Sequence, residues 1–119
     1  MSVLSQSTIA KKVYFSGVGI HTGNKVKMSV LPSTPNSGIV FKRTDFNQNN
    51  IVIPNFANVS DATLCTTVSN QFGVKVSTIE HLMAAFLGLG IDNAVVELDS
   101  QEVPIPVSYT HLRAHETDR

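Results

Sequence analysis

One stretch of this chain carries a helical period strong enough to commit it locally. Ile79, Leu82, Met83, Phe86 and Leu87 follow the i, i+3, i+4, i+7, i+8 spacing that lines one face of an α-helix. Ahead of it, Ser77-Thr78-Ile79-Glu80 matches a capping box, with Ser77 at the N-cap and Glu80 three residues on. Gly88 and Gly90 punctuate the end. The sequence around that helix reads as strand or turn.

Thr8 to Phe15 is β-rich and runs into the glycine cluster Ser16-Gly17-Val18-Gly19-Ile20-His21-Thr22-Gly23-Asn24. Lys25 to Leu31 alternates polar and apolar residues with period two, as a half-buried strand does. A turn-rich link, Pro32 to Gly38, leads to a third strand, Ile39 to Thr44. Those two strands are expected to pair antiparallel. Asp45 to Asn50 reads as loop, Ile51 to Ile53 as a short strand stopped by Pro54, and Asn55 to Asp61 as irregular. Thr63 to Val68 and Val74 to Val76 read as hairpin arms joined by Asn70 to Gly73, and Asn93 to Leu98 as a closing strand. The fold class is therefore α+β: a small, mostly antiparallel sheet with a helix packed on one face, in two layers.

Composition narrows the function. The chain has 119 residues, 42% of them hydrophobic, enough for one domain with a core and against disorder. Net charge is zero, so no basic face advertises nucleic acid or anionic lipid. Cys65 is the single cysteine, which excludes an internal disulfide and a Cys-x-x-Cys zinc ribbon. No apolar run approaches the ~20 residues of a membrane span, and no secretory signal opens the chain. A cytoplasmic location fits.

Three groups could carry chemistry. Glu80-His81 opens the helix; a neutral imidazole binds zinc, and an adjacent carboxylate can take a proton from water. The competing reading has Glu80 completing the capping box and His81 as a surface residue. In Gly17-Val18-Gly19-Ile20-His21-Thr22-Gly23 the glycines let the backbone approach a ligand, and His21 could touch a polar substrate. A plain strand-to-strand turn explains the same residues, and no helix follows to make a dinucleotide site. Cys65 could be a nucleophile with a histidine, or a small core residue. Gly88 to Asn93 reads as a binding loop or as the exit of the helix.

Residues 107–119 change character. They hold two of the four His and one of the two Tyr, without helical or strand period. The string resembles a translated transposon-type sequencing adapter, a non-native tail set aside from the fold and expected to make few contacts with the rest. His111 and His115 have the i, i+4 spacing of two metal ligands on a helix, but no amphipathic pattern supports one there.

Taken in order, Gly17 to Gly23, Arg43-Thr44-Asp45, Thr63-Leu64-Cys65-Thr66-Thr67, Ser77 to Leu82, Ala84-Ala85, Gly88 to Asn93 and Glu102-Val103-Pro104-Ile105 resemble one family. It is the zinc-dependent UDP-3-O-acyl-N-acetylglucosamine deacetylases of lipid A biosynthesis. The resemblance covers about residues 8–106 and implies a two-domain enzyme with its site between the domains. Residues 1–106 would be a truncated first domain. In the family a Pro-Ile is followed by Met-Asp-Gly-Ser; here Pro104-Ile105 is followed by Pro106 and the adapter-like string. His81 would be the first zinc ligand and Glu80 the general base. Leu64 and Cys65 would line the substrate region, with His21 in a supporting role. The other zinc ligands, a His and an Asp, would lie in the missing second domain. The implied substrate is a UDP-acyl-sugar and the reaction hydrolysis of its acetamide, with this fragment alone inactive. Two other readings remain open: a non-catalytic sugar-nucleotide or protein-binding half-domain, and a metal-free hydrolase using Cys65 and His81.

Overall fold

The computed structural model describes residues 6–55, 58–61, 66–104 and 116–118. The strands are β1 (Ser7–Ile9), β2 (Val13–Val18), β3 (Lys25–Pro32), β4 (Ile39–Arg43), β5 (Ile51–Val52), β6 (Val59–Asp61), β7 (Thr67–Ser69) and β8 (Lys75–Ser77). Helix α1 (Glu80–Leu89), β9 (Ala94–Leu98) and β10 (Glu116–Asp118) complete the order. The architecture is α+β, with a five-stranded sheet ordered β2-β3-β9-β4-β5, a three-stranded sheet β6-β7-β8 and a pair β1-β10.

The alternation in β3 does what period two requires. Val26, Met28 and Val30 are buried while Lys25 and Lys27 face solvent. Across the sheet, Val13, Val30, Val96, Phe41 and Val52 are successive partners in register, one from each strand. All five are buried. The same apolar cluster takes in Ile79, Leu82 and Phe86 from the helical segment, so helix and sheet share one core.

β3 and β4 do not pair with each other. β9 lies between them, antiparallel to β3 and parallel to β4. The link after β3 therefore crosses the end of β9, and it is fastened there. Gly38 N–H donates to Asn93 Oδ1 (2.9 Å), and Ala94 N–H donates to the Gly38 carbonyl (3.1 Å). Local alternation cannot reveal a strand inserted from far downstream. The N-terminal β-rich run is likewise two strands, β1 and β2, separated by a bend at Ala10 and Lys11. Of Asn55 to Asp61, expected to be irregular, the last three residues form strand β6 (Val59–Asp61).

The hairpin β7–β8 forms with Thr67 opposite Ser77 and Gly73 at φ 80°. Its turn is organised by Asn70. The Asn70 Oδ1 accepts from Phe72 and Val74 N–H, and its Nδ2 donates to the carbonyls of Asn49 and Ile51. Arg43 braces β4 to β8. Its guanidinium is buried, forks onto Asp45 (2.8 and 2.6 Å) and donates to the Lys75 carbonyl (2.7 Å). Those bonds hold the Asp45 carboxyl below its ordinary value, against the opposing push of partial burial.

Residues 105–115 lie outside the described residues, and with them the His111/His115 pairing. Residues 116–118 contradict the expectation of few contacts: Ser7, Thr8 and Ile9 pair in antiparallel register with Asp118, Thr117 and Glu116. The physical reason is that a short strand with an open edge accepts any extended segment through its backbone, without side-chain complementarity.

This packing generates two expected outcomes. Phe41→Ala should lower unfolding stability by about 3–5 kcal/mol, read as a lower urea midpoint with an unchanged slope. For Asp45, a depressed carboxyl contributes stability that is complete above the ordinary aspartate value and lost as pH falls through its lower folded value. The stability gap between the wild type and Asp45→Asn, measured by urea at pH 7, should therefore close as pH is taken below about 4. A gap that widens in acid would show that the Arg43 fork is not what holds Asp45.

Candidate active site

Glu80 and His81 are the first two residues of α1, and both are solvent-exposed. Their placement at the first turn matches the expectation from periodicity. The capping box does not form. Ile79 is the N-cap, in αR conformation, with no side-chain capping bond. The reason lies one step upstream. Ser77 belongs to β8; its N–H donates to the Gln101 carbonyl (2.8 Å) and its carbonyl accepts from Val103 N–H (3.1 Å). The donor that Glu80 would have reached back to is already satisfied. Thr78 then takes a left-handed conformation at φ 60°, so the helix cannot start before it. Neither the Glu80 side chain nor that of His81 makes a hydrogen bond or ion pair among the described residues.

The C-terminus of α1 behaves as its glycines imply. Gly90 sits at φ 71°, and the N–H groups of Gly90 and Ile91 bond to the carbonyls of Leu87 and Phe86. This is a Schellman stop. Asp92 and Asn93 beyond it are structural. Asp92 Oδ2 accepts from Ser7 N–H, and the buried Asn93 joins Gln6 to Gly38. Gly88 to Asn93 is thus the helix exit and an anchor for the N-terminal segment.

The glycine cluster connects β2 to β3, as a strand-to-strand turn should, closed by Gly19 N–H to the Asn24 carbonyl and Gly23 N–H to the Gly19 carbonyl (both 2.9 Å). It also cradles an anion, and the anion is the chain's own Glu102. His21 N–H lies 3.1 Å from both carboxylate oxygens, and Thr22 N–H donates to Oε1 (2.9 Å). The Thr78 hydroxyl donates to Oε2 (2.7 Å). A Cβ on Gly19 would strike that carboxylate and the Thr22 hydroxyl, which is why the position takes glycine. Glu102 is fully buried. Burial pushes its carboxyl up. The Thr78 hydroxyl, the Thr22 and His21 amides and the Thr22 hydroxyl together outweigh that push and leave it below its ordinary value. His21 engages through its backbone; its side chain is exposed.

Glu102 and Thr78 had no site role in the sequence reading. The available signal was an acid set directly before the apolar run Val103-Pro104-Ile105. Leu64 and Cys65 lie outside the described residues, and so does the Cys65–His81 arrangement. Among the described residues no three His, Cys, Asp or Glu side chains cluster to hold a metal. No helix among them is long and apolar enough to cross a membrane.

The family model described as UDP-3-O-acyl N-acetylglycosamine deacetylase matches residues 6–107. Curated proteins named UDP-3-O-acyl-N-acetylglucosamine deacetylase are similar to the chain. Those of Shewanella sp. (strain ANA-3) and Shewanella baltica (strain OS155 / ATCC BAA-1091) are 48% identical over 103 residues. The one of Shewanella sp. (strain W3-18-1) is 47% identical over the same length. Each match takes in 87% of this chain and 34% of the relative, so the chain spans about a third of the length of the curated relatives it matches. The match runs through the glycine loop, Arg43 to Asp45, the start of α1 and Glu102. By that match the chain belongs to the UDP-3-O-acyl N-acetylglycosamine deacetylase family.

Proposed function

We propose that this chain is the first part of a zinc-dependent enzyme that hydrolyses the acetamide of UDP-3-O-acyl-N-acetylglucosamine and releases acetate, the committed step of lipid A biosynthesis. The observation that carries the reading is the exposed Glu80–His81 pair at the start of α1, with its carboxylate left out of the capping box. That carboxylate is exposed and makes no bond among the described residues, which leaves it able to take a proton.

The donor set fits one corner of a zinc site. Catalytic zinc takes three protein ligands and keeps a fourth position open. His81 would supply one of the three through an exposed imidazole with no competing partner among the described residues. A second domain outside this chain would supply the others. Zinc bound there would act as a Lewis acid toward the acetamide carbonyl. Glu80 would then accept the proton of the attacking water at its carboxylate. His21, exposed on the glycine loop, would contact polar groups of the UDP-sugar, with Leu64 and Cys65 lining the same region. We read residues 107–119 as an adapter-derived tail, which the end of the family match at residue 107 supports. The cytoplasm suits a nucleotide-sugar substrate.

The test compares residues 1–106 with the full-length product of the parent gene. Equilibrium dialysis reads zinc, and acetate release from the UDP-sugar reads turnover. The fragment should bind zinc weakly and turn over no substrate. In the full-length protein, Glu80→Gln should lower kcat by about 10²–10⁴ with zinc retained, and His81→Ala should lose the metal. Tight one-to-one zinc with parent-like turnover in the fragment would sink the ligand assignment.

A further inference from the structure

We propose that Glu102 is a positioning residue: its buried carboxylate ties the Gly19–Asn24 loop, which carries His21, to Thr78 at the entrance of α1, and so sets where His21 stands relative to Glu80 and His81. The role rests on the reading of Glu80 and His81 as the reacting pair. Three features of the geometry carry it.

First, the carboxylate is saturated by donors from two separate segments. One oxygen takes Thr22 N–H, the other takes the Thr78 hydroxyl, and His21 N–H bridges both. Glu102 is 0% exposed and makes no ion pair among the described residues. A buried charge held only by dipoles is a costly choice for packing alone. It suits a joint, because a carboxylate is acceptor-only and takes several donors at once. A neutral amide would turn one donor toward an N–H.

Second, both partners are shaped for it. Gly19 leaves the space that a Cβ would take from the carboxylate. Thr78 holds a left-handed conformation rare for a β-branched residue, with its N–H on the Thr66 carbonyl (2.9 Å) and its hydroxyl on Glu102. Third, the backbone at Glu102 is pinned to β8 beside Ser77, by bonds from Ser77 N–H to Gln101 and from Val103 N–H to Ser77. The anchor and the helix entrance therefore move as one body. Glu102 itself is neither base nor ligand, since its oxygens are engaged and closed to solvent.

The experiment uses the 119-residue chain, ¹⁵N-labelled, with amide hydrogen exchange and the ring resonances of His21 and His81. In Glu102→Gln, the His21 and Thr22 amides should exchange at least about tenfold faster, while β3 and β9 amides stay within about twofold of wild type. The ring resonances of His21 and His81 should both shift. Thr78→Val should reproduce the effect, and it serves as the second probe should Glu102→Gln not fold. Thr78→Ser, which keeps the hydroxyl, should restore the wild-type pattern. Unchanged exchange at His21 and Thr22 would overturn the proposal. So would uniform acceleration across β3 and β9, which marks a residue of general stability, or a Thr78→Ser variant that behaves like Thr78→Val. None of these readouts uses zinc or substrate. A failed joint leaves the deacetylase reading standing, and an inactive full-length enzyme leaves the joint standing.

Discussion

The structure depends on a single insertion: β9 enters the sheet between β3 and β4. The buried row Val13, Val30, Val96, Phe41, Val52 closes only when Val96 is in place, because β9 supplies its middle member. Both ends of β9 are fastened to neighbouring loops. At one end Asn93 and Ala94 hold Gly38; at the other the Leu98 carbonyl accepts from Thr44 N–H. In the chain, α1 leads into β9, and β9 leads out to the segment ending in Glu102. The strand that completes the core therefore also delivers the helix start and its anchor to the same side of the molecule. A change that loosens β9 would be felt at Glu80 and His81 without touching either.

The glycine loop shows how a sequence feature can be read correctly in kind and wrongly in object. Gly19 does permit close approach of the loop to an anion. The anion is internal. Two backbone amides and two hydroxyls surround Glu102 in place of the water it loses on burial. Arg43 and Asp45 solve a similar problem differently, with a buried guanidinium forked onto a half-exposed carboxylate. Both arrangements tie strands to loops, and both fall on residues through which the family match runs.

Features set by near neighbours were legible in the sequence. The alternation of β3, the Gly73 hairpin and the Gly90 stop depend on residues within a few positions of one another and appear where the spacing places them; the apolar stripe of α1 does so at Leu82 and Phe86, while Leu87, expected on the same face, is 84% exposed. Features set at long range were not. Nothing near residues 32–38 indicates that Asn93 will occupy the gap beside β3. The donors to Glu102 come from His21, Thr22 and Thr78, 81, 80 and 24 positions away. The capping box failed for the same reason: Ser77 fits the local pattern, but residues 101–103 had already taken its backbone groups. Backbone pairing at β1 carries no side-chain signature at all, which is why residues 116–118 could join it unannounced.

The failed capping box ties the fold to the candidate site. In a capping box, Glu80 would fold back onto Ser77 and lie along the helix end, shielded and oriented away from any partner. Thr78 prevents this by adopting a left-handed conformation, at a cost of about 1–3 kcal/mol. That conformation needs compensation to persist, and the bonds from Thr78 to Thr66 and Glu102 provide it. The buried carboxylate thus acts on both sides of the candidate site. It orders the loop that bears His21, and it stabilises the strained residue whose conformation keeps Glu80 free. Glu80 is thereby left at the positive end of the helix, exposed and without a bond among the described residues. Its availability traces back to a second acid that is wholly committed and never meets solvent.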